Sequence, residues 1–259
     1  MQCSVKDALA GVFELLQRSY RCDYVYRSTI AAKLFLGRHS PTTSALIPEL
    51  RVWKSKADMA VFNGTSIAYE IKTELDNLDR LQSQLADYSA VFDRIFVVTY
   101  DGRGEELRAT LPSHVGILVL TRTLSFQVVR DALSNAENVR PRMIVDALRR
   151  DEVIEVTRRV VGRAPCATEV TIRQECADAL ATCTPRSVHD AMVAVLKRRM
   201  RCTREQLARV PRPLLSAYLE SGTKSQMWNR ITERLTSVTL GDLIAHDEQI
   251  LSIPQGEDV

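Results

Sequence analysis

Residues 56–72 read KADMAVFNGTSIAYEIK, and this stretch decides the fold of the first half of the chain. Two apolar runs of strand length flank Asn63-Gly64, a dipeptide that is a strong signal for a tight turn between antiparallel strands. The segment therefore predicts a β-hairpin. Three charged residues interrupt its apolar character. Asp58 lies near the start of the first strand, and Glu70 and Lys72 lie at the end of the second.

The length of the turn decides whether these charged groups meet. A two-residue turn would pair Asp58 with Tyr69 and direct the two carboxylates to opposite faces of the sheet. A three-residue turn, with Gly64 at positive φ, would place Asp58 opposite Glu70 with their Cβ atoms about 5 Å apart. Lys72 would then project from the same face. The sequence allows both registers, and a shared site requires the second.

The sequence on either side of the hairpin predicts alternating helices and strands. Helical spacing of apolar residues marks the helices, and continuous runs of branched residues mark strands that are covered on both faces. The predicted elements, in chain order, are helices over 6–19 and 29–36, strands near 50–53, 57–62 and 66–73, a helix over 76–93, and strands over 94–99 and 116–120. Because the last two strands follow a helix, we expect them to run parallel to the earlier ones.

Beyond Leu124 no strand is predicted, and the pattern is helical. The helices are expected over 143–161, 187–200, 204–210 and 225–235. We therefore predict an α/β fold in three layers, with a mixed sheet flanked by helices, followed by an all-helical C-terminal region. The expected division places the α/β domain at residues 1–135 and the helical domain at 136–259.

Composition describes an ordinary globular chain of 259 residues, of which 45% are hydrophobic and 26% charged. The longest stretch without Asp, Glu, Lys or Arg, from Ala109 to Thr121, has 13 residues. A membrane-spanning helix needs about 20 apolar residues. The first residues also lack the apolar core of a signal peptide, since Asp7 falls there. We therefore expect a cytoplasmic protein with no membrane segment.

Charge is unevenly distributed along the chain. Residues 1–139 contain 16 basic and 16 acidic side chains, whereas residues 140–212 contain 16 basic and 9 acidic ones. The helical region is therefore basic in its first part, which suits contacts with nucleic-acid phosphates. The residues predicted to make these contacts are Lys197, Arg198, Arg199, Arg201 and Arg204.

Two carboxylates and a lysine on one sheet face suit a specific chemistry. Like charges at this distance repel each other unless a cation lies between them, and Mg²⁺ is held by one or two carboxylates together with waters. Such an ion polarises a phosphoryl oxygen, and a neighbouring lysine can orient a water. Asp58, Glu70 and Lys72 thus predict phosphodiester hydrolysis.

The same residues resemble a known family. Lys56-Ala57-Asp58, the turn, Tyr69-Glu70-Ile71-Lys72 and the helix that follows are similar to the PD-(D/E)XK nuclease superfamily, and to a bacterial family of that fold. Ala57 replaces the proline of the motif. The resemblance implies a restriction-endonuclease-like core in which Asp58, Glu70 and the carbonyl of Ile71 bind Mg²⁺, with Mn²⁺ as a substitute, and Lys72 assists the water. It also implies DNA as a partner, and a homodimer as one arrangement.

Further residues are expected to support this site. Glu49, at the start of the preceding strand, is the favoured third carboxylate, and Glu14 on the first helix competes for that role. Gln84 and Tyr88 are one helical turn apart and resemble a Q-x-x-x-Y pattern of some relatives, in which the glutamine approaches the site. Packing alone would also explain them, and would do so more readily for Tyr88.

The leading functional hypothesis is therefore a Mg²⁺-dependent nuclease that acts on DNA in repair, recombination or defence against foreign DNA. A catalytically silent module that binds nucleic acid or serves in regulation is the alternative from another class. An RNA-directed nuclease also stays open, because backbone hydrolysis by this arrangement does not depend on the sugar. No row of aromatic residues predicts stacking on single strands.

Overall fold

A computed structural model describes residues 3–163, 165–199, 203–221 and 225–244. Its centre is a single sheet of six strands in the order β1-β2-β3-β4-β5-β6. The strands are β1 Ala45–Val52, β2 Ser55–Phe62, β3 Ser66–Ile71, β4 Arg94–Tyr100, β5 Gly116–Leu120 and β6 Phe126–Arg130. The predicted hairpin is therefore present as β2 and β3, with β1 antiparallel on its outer edge.

The three-residue turn is the one present. Phe62 pairs with Ser66 across the hairpin, and Gly64 has a φ of 70°, a conformation that glycine adopts without steric cost. The same register continued along the strands places position 58 opposite position 70. Register alone therefore brings the two acids to one face of the sheet.

Strands β4 and β5 run parallel to β3, as the sequence predicts. Each joins the sheet through a crossover that contains a helix, α3 before β4 and α4 before β5. As a result, the carboxyl ends of three neighbouring strands point to the same edge of the sheet.

The prediction that no strand follows Leu124 was wrong. Phe126–Arg130 forms β6, antiparallel to β5 with a register irregularity between Ile117 and Leu118. This strand is short and lies at the edge of the sheet, and most of its side chains are partly or fully exposed. An edge strand of this kind lacks the continuous apolar run by which a buried strand is recognised.

Helices cover both faces of the sheet, which confirms the layered arrangement. The helices are α1 Val5–Ser19, α2 Asp23–Thr29, α3 Leu81–Ser89, α4 Gly104–Thr110, α5 Pro141–Ala147, α6 Arg150–Val161, α7 Ile172–Ala181, α8 Pro185–Leu196, α9 Arg204–Arg209, α10 Leu215–Glu220 and α11 Ser225–Ser237. Helices α3 to α8 pack on one face. The other face is covered by α2, by the π-helical turn Ile30–Phe35 that continues it, and by α9 to α11.

Several helices differ from the predicted ones: the stretch 143–161 is two helices, α5 and α6, while α7 and α10 were not predicted. The second helix begins at Asp23 rather than near residue 29. The helix after the hairpin begins at Leu81 rather than at Asp76, because the Asp76 carboxylate accepts hydrogen bonds from the amide and hydroxyl of Thr73 and forms a turn there. None of the described helices combines the length and apolar character needed to cross a membrane.

Candidate functional site

Asp58 lies where the β2–β3 ladder ends. The last paired residues of the hairpin are Met59 and Tyr69, and beyond them Asp58 Oδ2 accepts a hydrogen bond of 2.7 Å from the backbone N–H of Ile71. The carboxylate thus replaces the strand partner that this amide would otherwise have. The main chain of Ile71, predicted as a metal ligand through its carbonyl, therefore lies directly beside Asp58.

Glu70 is buried at the same end of the hairpin, with 2% of its surface exposed. Its Oε2 accepts a hydrogen bond of 2.7 Å from the hydroxyl of Tyr88, and its Oε1 lies 2.9 Å from Lys72 Nζ. Burial and the neighbouring Glu70 carboxylate raise the pKa of Tyr88, so the phenol stays protonated and donates. Both oxygens of Glu70 are therefore held in place.

Lys72 and Gln84 complete the predicted group. The Lys72 side chain is 13% exposed, and its ammonium group lies against Glu70 and donates a hydrogen bond of 3.1 Å to Gln84 Oε1. Helix α3 therefore brings its glutamine to the site, and the tyrosine one turn further along contacts the site as well as packing. The structure thus gathers Asp58, Glu70, Lys72 and Gln84 at one end of the hairpin.

The electrostatics of Asp58 are strongly perturbed. Burial, followed by the like charge of Glu70, raises the pKa of Asp58 to about 7, although the Ile71 amide and Arg27 act in the opposite direction. Two carboxylates that raise each other's energy in this way attract a cation, and perturbed carboxylates of this kind are concentrated at functional sites.

Arg27, which the sequence did not indicate, supplies positive charge to this site. Its side chain is 12% exposed, and it forms an ion pair with Asp58 Oδ1 at 3.4 Å. It also contacts Asp23 of the same helix, Glu49 of β1 and Glu220 of α10. Only the four-residue spacing from Asp23 is visible in the sequence. The other partners come from three different elements, so no local pattern marks Arg27.

Glu49 is the carboxylate that lies beside this group, whereas Glu14 forms an exposed ion pair with Arg18 on α1. In the β1–β2 register, position 49 faces position 58, and Glu49 has a φ of 51°. Such a backbone is strained for a residue other than glycine and is more frequent at functional sites. Glu49 contacts Arg27 at 3.5 Å and Lys56 at 2.9 Å, and the hydrogen bond from Lys56 lowers its pKa.

The charges around Asp58 are unbalanced in favour of the acids. The described part of the site contains five carboxylates, Asp23, Glu49, Asp58, Glu70 and Glu220, but three cations, Arg27, Lys56 and Lys72. When all are ionised, two negative charges are in excess. A divalent cation would neutralise them.

The oxygen ligands at this site are those of two carboxylates. Asp58 and Glu70 supply hard oxygen ligands, and Mg²⁺ is commonly held by one or two carboxylates with waters and substrate oxygens. In the described ranges, no three His, Cys, Asp or Glu side chains are grouped so that they could hold a metal ion by themselves. With Asp58 and Glu70 as its ligands, a magnesium ion would keep most of its own waters.

The residues predicted to contact nucleic acid lie after α8 and at the start of α9. Lys197 and Arg198 are exposed. Arg199 instead forms an ion pair with Glu152 of α6, and both side chains are largely buried. Arg201 lies outside the described residues, and the side chain of Arg204, at the start of α9, also falls outside them.

We predict that Arg199 stabilises the helical region rather than forming part of an exposed surface. Arg199→Ala is expected to lower the free energy of unfolding by about 2 kcal/mol, because it leaves the Glu152 carboxylate buried without its charged partner. The matched variant Arg198→Ala, in an exposed position, is expected to lower it by less than about 0.5 kcal/mol. Urea unfolding followed by circular dichroism measures both. Equal effects of the two changes would refute the prediction.

Comparison with known proteins identifies relatives of this chain. The family model of bacteriophage P4 protein cII matches residues 17–215, a range that contains every residue of the site except Glu220. Protein cII of Enterobacteria phage P4 is 33% identical over 66 residues, which are 26% of this chain and 25% of that protein. The chain thus aligns with about a quarter of that relative's length. No solved structure gives a significant match. Since the family model covers well over half of the sequence, this chain belongs to the bacteriophage P4 protein cII family.

Proposed function

We propose that this protein is a Mg²⁺-dependent nuclease that hydrolyses phosphodiester bonds of DNA in the cytoplasm, with a restriction-endonuclease-like core of the PD-(D/E)XK kind. One observation carries the proposal. Two acids and a lysine of the β2–β3 hairpin meet a glutamine of the next helix at one end of the sheet. These residues are Asp58, Glu70, Lys72 and Gln84. Five carboxylates against three cations make this end suitable for a divalent ion.

The side chains present have distinct roles in this proposal. When bound, Mg²⁺ would polarise a phosphoryl oxygen and stabilise the charge that develops on it. Lys72, held between Glu70 and Gln84, is oriented to position the attacking water. Tyr88 donates to Glu70 and keeps its carboxylate directed toward Lys72. Arg27 has contacts of 3.4 to 3.5 Å with Asp58, Glu49 and Glu220 that it can exchange for a phosphate.

A second candidate is a catalytically silent module that binds nucleic acid or serves in regulation. One observation favours it, namely that each carboxylate oxygen of Asp58 and Glu70 already has a partner. Arg27 and the Ile71 amide contact Asp58, while Lys72 and Tyr88 contact Glu70. A site whose carboxylate oxygens each have a hydrogen-bond or ion-pair partner can persist without metal, and it would then support the fold rather than catalysis.

An assay of metal dependence separates these functions. We expect the wild type to degrade at least one of supercoiled plasmid, linear duplex, single-stranded DNA and RNA in Mg²⁺ or Mn²⁺, and none of them with a chelator, because two carboxylates and a lysine cannot replace the ion's charge. Gel electrophoresis of the products measures this, and the substrates degraded distinguish DNA from RNA. If no substrate is degraded under any condition, or if the chelator has no effect, the metal-dependent nuclease is ruled out.

A further inference from the structure

A cleft of about 900 Å³ opens beside the candidate site. Three segments line it: residues 17–23, from the end of α1 to the start of α2, residues 73–76 after β3, and residues 122–124 after β5. Asp23 belongs to this lining and also forms an ion pair with Arg27, whose guanidinium reaches Asp58. Residue 73 directly follows Lys72. The cleft therefore adjoins the candidate site through Asp23 and Thr73.

The cleft lies outside the carboxyl ends of the parallel strands. Two of its walls follow β3 and β5, which are parallel strands on either side of β4. Ligands of open α/β sheets bind outside the carboxyl ends where the strand order reverses, and in this sheet the strands keep their chain order. The case for a binding site therefore depends on the side chains of the cleft.

Arg21 holds the walls of this cleft together. Its guanidinium donates hydrogen bonds to the backbone oxygens of Leu120 at 3.2 Å and Thr121 at 3.3 Å. It also forms an ion pair with Glu74 at 3.1 Å, and 15% of the Arg21 side chain is exposed. One side chain thus joins the first lining segment to Glu74 of the second and to the end of β5, which leads into the third, so the walls are held without a ligand. A preformed site binds with less loss of conformational freedom.

The charged residues of the cleft lining balance formally, with Arg18, Arg21 and Arg122 against Asp23, Glu74 and Asp76. Asp23 pairs with Arg27 and Glu74 with Arg21, while Asp76 accepts hydrogen bonds from the amide and hydroxyl of Thr73. Arg18 is 80% exposed and has a weak surface contact of 3.8 Å with Glu14. Arg122 is exposed and forms no ion pair with the described residues. Two guanidinium groups are therefore available for anionic groups of a ligand.

The cleft also contains an exposed aromatic ring. Tyr20 lies in the lining and is 52% exposed, whereas most aromatic side chains of the described region are buried in the core. An exposed tyrosine beside two guanidinium groups combines a stacking surface with phosphate-binding charge. Sites that bind single-stranded nucleic acid combine the same two features.

We infer that this cleft binds single-stranded nucleic acid, with a base stacked on Tyr20 and backbone phosphates on Arg18 and Arg122. The inference rests on the proposed function in one respect. If the protein is a nuclease, the strand bound in the cleft is the part of the substrate next to the phosphate at the candidate site. Binding itself requires neither metal nor cleavage. A duplex has its bases stacked on each other and cannot offer a free base face to a single tyrosine.

The experiment measures binding without cleavage. Fluorescence anisotropy with labelled oligothymidylate, oligouridylate and a duplex, all in chelator, gives the dissociation constants for the full chain. We expect single strands to bind more tightly than the duplex. Tyr20→Ala is expected to weaken single-strand binding about tenfold, and Arg122→Gln about fivefold. Tyr20→Phe should bind like the wild type, because the ring is kept.

Controls separate this result from unfolding and from general charge effects. Arg230→Gln, which removes an exposed arginine of α11 outside the cleft, should leave affinity within about twofold of the wild type at matched salt. Thermal unfolding of each variant checks its fold. The inference is overturned if single strands bind no better than duplex, or if folded Tyr20→Ala and Arg122→Gln proteins keep wild-type affinity. Loss of nuclease activity alone would affect only the proposed function.

Discussion

Replacement of Glu70 by glutamine is expected to slow metal-dependent phosphodiester hydrolysis by about 1,000-fold. The amide carries no charge, so the site keeps one fewer of the negative charges that would attract a magnesium ion. Lys72 also loses the carboxylate that lies 2.9 Å from its ammonium group and that, together with Gln84, orients it. Initial rates on the substrate that the wild type degrades best, in Mg²⁺, measure the effect.

The fold is expected to survive this change. Glu70 is buried next to Asp58, and its charge is one of the causes that raise the pKa of Asp58. Neutralising it relieves this repulsion but also removes the ion pair of Lys72, so the two effects oppose each other and the thermal midpoint of Glu70→Gln should stay within about 5 °C of that of the wild type without metal. Glu106→Gln, a half-exposed position on α4, is the matched control and should keep full activity. A folded Glu70→Gln protein with more than a tenth of wild-type activity would contradict the proposed role.

Substitution of Asp93 by alanine is expected to lower the free energy of unfolding by about 3 kcal/mol at neutral pH. Asp93 is buried at the start of β4, and its carboxylate accepts hydrogen bonds from the hydroxyls of Thr65 and Ser134 and the amides of Asn135 and Ala136. Alanine leaves these four donors without their acceptor. Urea unfolding measures the loss, and Asp79→Ala, at an exposed position, is the control, with an expected change below about 0.5 kcal/mol.

The effect of Asp93 should depend on pH in a defined direction. Burial by itself raises the pKa of Asp93, but the hydrogen bonds from Ser134, Thr65 and the two amides outweigh it and lower the pKa to about 2. The charged form therefore stabilises the folded state fully above the ordinary carboxyl pKa, and this contribution is lost as pH falls through about 2. The difference between wild type and Asp93→Ala should be about 1 kcal/mol smaller at pH 3 than at pH 7. A difference independent of pH would refute this account.

The sequence did not reveal the structural role of Asp93. This residue ends the Q-x-x-x-Y helix segment, and the pattern places it merely at a helix terminus. In the fold, its backbone N–H donates to the hydroxyl of Ser66, which also contacts His189 Nε2 at 2.8 Å. The residue thus belongs to a network that joins the hairpin to α8. Such a network depends on long-range contacts, and no local spacing encodes it.

Strands could be predicted from the sequence where both of their faces are buried, but not where their side chains are exposed to solvent. β4 and β5 read as continuous apolar runs and were located within a residue of their bounds. β6, at the exposed edge, lacks that signal. Apolar spacing and proline positions predicted four helical stretches of the C-terminal region, but α7 and α10 were not predicted and the stretch 143–161 is two helices, α5 and α6. Helices α2 and α3 begin several residues from their predicted starts.

The sequence by itself determined that two acids and a lysine flank a tight turn, that a helix with Gln84 follows, and that helices and strands alternate in the first half of the chain. These features are local, since they follow from residue type and spacing. The tertiary structure alone decided the register that places position 58 opposite position 70, because both faces of β2 are apolar and either register would bury its residues. It also decided that Arg27 lies among carboxylates of four elements, and that Tyr20 and Arg122 share a cleft. Charge interactions between residues up to 193 positions apart depend on the path of the whole chain, which no local pattern contains.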